Sequence, residues 1–480
     1  MLKEKLIASA KWNGIGRLVA IISDFSFGVI LARLLLPNDF GVVAILTVFI
    51  SFLSVFVNSG FSQALIREKD VSAMDYDTVF CFNLIVAITV FAISFLSAPF
   101  IANFYSNINI TQYLRCLSIS LFMEAFVLVQ QSILTKRMDF KKLSLISISA
   151  SLLSGIISIC LALYGFGIWS LIIKSLLKDF LTLFFTILIV RWKPAAQFSI
   201  VSFRKYFRYG IYMLGSSMIS QIYINIFSLT VGKVFSPTTL GFYNRAELFK
   251  NTLSQNIDGI ITGVSYPALA SLQNDRIEFV NYYKNILQLS FYIVSILMIS
   301  LLFNAEALIN VLLGSKWSDS IKMLQILCLI GLLFPINSIT VNAISVTGRS
   351  SIYFRFQLFS IIGSLISLLF GYFFGIIPMI WGFFLISSLL LLWIMSVFNK
   401  LFDFSLLDLI KLCKNSLINI VILSLCFYFV NLISSNFILR LVLNAFFGLF
   451  LIILYGYLSN AKEFFFLRGQ LISVLWKRSE

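Results

Sequence analysis

Histidine is missing from all 480 residues of this chain. Its absence removes the commonest general base and metal ligand at neutral pH. Charge is scarce as well: 12% of residues are Asp, Glu, Lys or Arg, against 60% hydrophobic, and mean hydropathy is +0.98. A soluble protein cannot hide that much apolar surface, so the composition describes an integral membrane protein. The six cysteines stand singly, mostly inside apolar runs and without CxxC spacing. They read as small core or lipid-facing residues, and no metal site is expected. GxxxxGK[ST], HExxH and GxSxG do not occur, so no catalytic motif marks the chain as an enzyme.

What is present in excess is positive charge, with 36 Lys and Arg against 20 Asp and Glu. In a soluble chain this balance would point to nucleic acid, but in a membrane protein basic residues collect in cytoplasmic loops. No nucleic-acid partner is expected.

Proline and glycine are few enough to act as punctuation. Arg33, Pro37 and Gly41 form a hinge between two apolar segments, and Lys233, Pro237 and Gly241 repeat it 200 positions later. Thr135 and Arg137 against Thr347 and Arg349, and Gly165 to Trp169 against Gly375 to Trp381, recur at about the same displacement. A unit of roughly 200 residues has been doubled.

A bilayer span needs about 20 mostly apolar residues in a helix that pairs all its own backbone groups. This criterion predicts an all-α, polytopic fold of about fourteen transmembrane helices. Six lie near 14–36, 40–66, 77–98, 112–135, 143–164 and 167–190, and six near 206–234, 241–270, 284–303, 320–347, 352–373 and 376–399. A last pair lies near 409–431 and 437–459. The expected domains are a six-helix bundle at 1–200, a second at 201–400 and an added pair with a tail at 401–480. The basic start of the chain continues into the first span without a small-residue cleavage site, which predicts a retained helix rather than a signal peptide. Every second loop is basic, including Lys136 to Lys142 and Arg191 to Arg208, which puts both termini in the cytoplasm.

Charges inside spans cost about 2.5–3.5 kcal/mol each at the bilayer centre, so they should face a polar interior. Arg17 and Asp24, Glu124, Lys174, Lys178 and Asp179, and Arg245, Glu247, Lys250 and Asp258 form this set. Each has a structural reading as an ion pair or as a side chain reaching toward water. Taken together they predict a hydrated cavity, and the cations among them favour an anionic group such as a phosphate.

The hinge at Arg33 to Gly41, the segment Gly60 to Arg67, the loop Lys136 to Lys142, Gly165 to Leu171, Tyr243 to Ala246 and Tyr266 to Leu269 together resemble the polysaccharide transport family. Within the multidrug/oligosaccharidyl-lipid/polysaccharide exporter superfamily the chain is similar to the Wzx-type flippases. The resemblance implies two bundles around a cavity open alternately to either side of a bacterial inner membrane. It implies an undecaprenyl-pyrophosphate-linked oligosaccharide as cargo, for O-antigen, capsule or exopolysaccharide. Arg17, Lys174, Lys178, Arg245 and Lys250 are then the candidate substrate-binding cations. Asp24 and Glu124 are the candidates for proton or sodium coupling, with no other cofactor. Membrane lipids, a polysaccharide polymerase and glycosyltransferases are the expected partners. The competing readings are a small-molecule exporter of the same fold and a membrane polymerase or ligase of lipid-linked sugars.

Overall fold

The computed structural model describes the chain except residues 1, 59, 69, 196, 462, 466, 467 and 469–480. It likewise leaves aside the side chains of residues 2–11, 13, 15, 17, 208, 223, 224, 226, 264 and 350. The described regular structure is entirely helical. The first helices are α1 (Leu2–Leu34), α2 (Pro37–Asn58), α3 (Phe61–Arg67), α4 (Ala73–Phe104), α5 (Ile110–Leu117), α6 (Ile119–Lys136), α7 (Phe140–Leu163), α8 (Ile168–Val190) and α9 (Ile200–Val234). They are followed by α10 (Pro237–Ser271), α11 (Arg276–Leu312), α12 (Asp319–Val346), α13 (Ser350–Phe374) and α14 (Ile376–Phe402). The chain ends with α15 (Leu406–Leu412), α16 (Lys414–Ile433) and α17 (Phe437–Leu458).

Among the described residues, eleven helical segments are long and apolar enough to cross a membrane, α5 and α6 counting as one. The chain is therefore a multi-pass membrane protein. Three other long helices are α1, α8 and α10; α8 has Lys174, Lys178 and Asp179 within its 23 residues, which is why it falls outside the eleven.

Helix ends follow local chemistry. Pro37 and Pro237 each open a helix, where a missing N–H costs nothing. Ser236 caps the second of these by accepting from the Thr239 N–H at 3.0 Å. At α4, Ser72 and Asp75 form a reciprocal capping box. Asp77 is used differently, accepting from the Ala195 N–H at 3.0 Å. The expected span 40–66 is two helices, because Gly60 has φ +70° and α9 lies against it. A Cβ on Gly60 would stand 2.5 Å from Met213 Cβ, so only glycine fits this break. The expected span 112–135 is also divided, at Ser118, whose buried hydroxyl contacts Ser94 Oγ at 2.6 Å.

Two compact units divide the chain, Met1–Gly241 and Phe242–Glu480. The sequence halves meet near residue 200, but α9 packs on α2, α3 and α4 and Tyr105 Oη donates to the Leu229 carbonyl at 3.2 Å. These contacts place α9 with the first unit. Within that unit α1 packs on α7 along a face of small residues, where Gly16 meets Ser144 and Gly155 meets Phe27. In the second unit α16 and α17 pack on α11, tied by Asn444 Nδ2 to Asn304 Oδ1 at 2.8 Å.

Candidate functional site

Three helices of the first unit carry polar stripes. On α2 the stripe is Thr47, Ser51, Ser54 and Asn58; on α6 it is Ser120, Glu124, Gln131 and Thr135; on α8 it is Ser175, Asp179 and Thr182. Steps built from three and four residues hold each set on one helix face. The three faces meet, with Ser62 and Ile66 of α3, around a cavity of about 540 Å³.

Glu124 is the most engaged group in this cavity. Its Oε1 accepts from Ser54 Oγ at 2.7 Å and from Asn58 Nδ2 at 3.1 Å. Asp179 lines the same space. Most of the hydroxyls donate to their own helix: Thr47 to the Val43 carbonyl at 2.8 Å, Ser51 to Val48 at 2.9 Å, Ser132 to Leu128 at 2.9 Å and Thr182 to Lys178 at 2.8 Å. What they leave for the cavity is oxygen lone pairs. With two carboxylates added, the lining is rich in acceptors, and its described residues include no Lys or Arg. Such a space attracts cations and hydroxyl donors and disfavours a phosphate.

The expected site residues are distributed over several surroundings. Asp24 is held by Lys178 Nζ at 2.9 Å and by Ser151 Oγ at 2.8 Å, so α1, α7 and α8 share one ion pair. Lys174 lies over the Phe27 ring at 5.9 Å. The side chain of Arg17 lies outside the described residues. In the second unit Lys250 is buried and stands 3.9 Å from Glu247 Oε1. Arg245 is half-buried five residues before it. Asp258 accepts from Ser338 Oγ at 2.7 Å. Of the two expected coupling carboxylates, Glu124 is in the cavity and Asp24 is in an ion pair. Ser54 and Asn58 were not singled out from the sequence, although their spacing with Thr47 and Ser51 on one face was a readable signal.

Residues 30–322, more than half of the chain, match the family described as polysaccharide biosynthesis protein. The chain belongs to that family. WzxC of Escherichia coli K12, a lipopolysaccharide biosynthesis protein, is 26% identical over 368 residues, covering 75% of this chain and 73% of WzxC. The succinoglycan biosynthesis transport protein ExoT of Rhizobium meliloti 1021 is 27% identical over 311 residues, covering 64% of this chain and 62% of ExoT. The fold of this polysaccharide biosynthesis protein is also that of the lipid II flippase MurJ in its inward closed conformation. That likeness has a TM-score of 0.74 and 17% identity, covering 94% of this chain and 100% of the MurJ chain.

Proposed function

We propose that this protein is a flippase, moving a lipid-linked oligosaccharide across a bacterial inner membrane for assembly of a surface polysaccharide. The cargo is an undecaprenyl-diphosphate-linked unit, and no covalent bond is made or broken. The observation that carries this reading is the acceptor-rich lining of the Glu124 cavity, without Lys or Arg among its described residues, in a member of a polysaccharide biosynthesis family. Sugar hydroxyls are donors that such a lining can satisfy. The cargo's sugars cross by alternating access while its lipid tail stays in the bilayer. Glu124 with Asp179 is the coupling pair for a proton or sodium ion. Asp24 is the weaker candidate because Lys178 already balances its charge. Both termini lie in the cytoplasm, in keeping with the basic loops.

The test is deletion of the gene with extraction of lipid-linked sugars and surface polysaccharide. Loss of surface polymer together with accumulation of a lipid-linked oligosaccharide, reversed by the wild-type gene and not by Glu124→Gln with Asp179→Asn, is the expected result. Normal polymer and normal lipid-linked pools in the deletion strain would overturn the reading in favour of small-molecule export.

A further inference from the structure

The turn from Lys136 to Asp139, one of the segments on which the family resemblance rests, contributes nothing to the Glu124 cavity. It borders a second cavity in the first unit, of about 710 Å³, between the start of α4 and the end of α6. Tyr76, Lys136, Arg137 and Trp192 line it, with Asp70 as its carboxylate. This cavity therefore has the charge and aromatic character that the first one lacks.

Its walls are fixed rather than loose. The segment after α8 is pinned to α4, since Asp77 accepts from the Ala195 N–H at 3.0 Å and Thr78 Oγ1 accepts from the Ser199 N–H at 3.1 Å. Trp192 meets the edge of Phe80, with ring centroids 5.7 Å apart. Lys136 Nζ donates one hydrogen bond, to the Glu68 carbonyl at 2.7 Å, which leaves two of its N–H groups for another partner. Neither the Arg137 guanidinium nor the Trp192 indole N–H is bonded to a described residue. The Ser72–Asp75 box engages the Ser72 and Asp75 N–H groups and not those of Ala73 and Met74, so the start of α4 adds backbone donors to the side chains of this cavity.

Arg137 is not required by the turn it occupies. Arg137 has φ −77° and ψ −5°, Met138 φ +59°, and Asp139 φ −84° and ψ 53°. In the second half Thr347 has φ −78° and ψ 12°, Gly348 φ +80°, and Arg349 φ −88° and ψ 52°. The backbone is the same, so the turn pairs Arg137 with Thr347 and Asp139 with Arg349. This is two residues out of the register that matched Thr135 and Arg137 to Thr347 and Arg349 in the sequence, and the position of Arg137 holds threonine there. A cation that the turn does not need, in an open cavity beside a second cation and an indole, has the makings of an anion site. A planar guanidinium suits phosphate oxygens in particular.

The two cavities adjoin. Thr135 lines the first, and Lys136 and Arg137 line the second, within one turn of about 5.4 Å along α6. We infer that the Lys136–Arg137–Trp192 cavity binds the diphosphate of the lipid-linked cargo on the cytoplasmic side, before its sugars occupy the Glu124 cavity. This rests on the flippase reading, and it separates two tasks that the sequence placed in one cationic cavity.

The test uses the full-length protein in phosphatidylcholine nanodiscs, with radiolabelled undecaprenyl diphosphate as probe. Wild type binds it, and Lys136→Ala with Arg137→Ala weakens binding about tenfold or more, as loss of charge-assisted phosphate bonds does. Arg137→Lys alone is intermediate, and Lys142→Ala, which removes a cation paired with Asp139 at 3.3 Å, binds as wild type. Excess phosphatidylglycerol does not displace the probe. Equal binding by wild type and by both Arg137 variants would overturn the inference while leaving the flippase reading intact. Displacement by phosphatidylglycerol would make the cavity a general site for anionic lipid and also overturn it. Failure of wild type to bind the probe would remove the flippase reading together with the inference.

Discussion

Asp24 and Lys178 sit on helices 154 positions apart in sequence, and each would be costly alone in an apolar bundle. Together, with Ser151 as a third partner, they form a pair whose side chains are 40% and 36% exposed. Breaking a fully buried pair costs about 3–5 kcal/mol, and this half-exposed one should cost less, about 1–2 kcal/mol, on Asp24→Asn. The expected measurement is a lower midpoint of thermal unfolding in detergent, recovered when Lys178→Met is added. A midpoint unchanged by Asp24→Asn would show that the pair is not structural. The charges themselves were legible in the sequence, since any Asp or Lys in a span stands out. Their partners were not, because pairing is decided by which helices pack together. Glu124 illustrates the same limit: its position in mid-span was evident, but Ser54 and Asn58 became its ligands only through the meeting of α2 and α6.

At the scale of the element, the repeated hinge becomes a reciprocal contact. A Cβ on Gly41 would lie 1.6 Å from the Pro237 carbonyl oxygen, and one on Gly241 would lie 2.0 Å from that of Pro37. The obstacle is backbone in both cases and cannot swing aside, so Gly41→Ala should destabilise the protein by about 1–3 kcal/mol. The same change at Gly165, with open space around its Cβ position, tests only its φ of +83°. A Gly41→Ala midpoint equal to that of wild type would contradict the contact. The duplication is equally visible in the α7–α8 and α13–α14 hairpins, where Ser158 Oγ donates to the Ser170 carbonyl at 2.8 Å and Ser367 Oγ to the Met379 carbonyl at 2.7 Å. Hydropathy located these long helices well, because apolar length is a property of the sequence alone. It ran through the breaks at Gly60 and Ser118, which are set by α9 and by the Ser94 hydroxyl and leave no gap in the apolar pattern.

For the whole molecule, the sequence already specified a helical membrane protein with an internal repeat and a polar interior. It did not reveal how polarity is divided. Half of the charges in mid-span are cations, yet the Glu124 cavity has an acceptor lining, and the accessible cations of the first unit include those beside Trp192. This division follows from side-chain direction around each helix, which depends on packing more than on composition. It suits the proposed cargo, with its neutral, hydroxyl-rich part and its doubly anionic part. The most direct measurement is translocation of a lipid-linked oligosaccharide in proteoliposomes containing the purified protein, followed by accessibility of the sugar to an external glycosidase. Protein-dependent transfer that falls at least about tenfold in Glu124→Gln with Asp179→Asn is the expected result. Transfer no faster than in protein-free liposomes would contradict it.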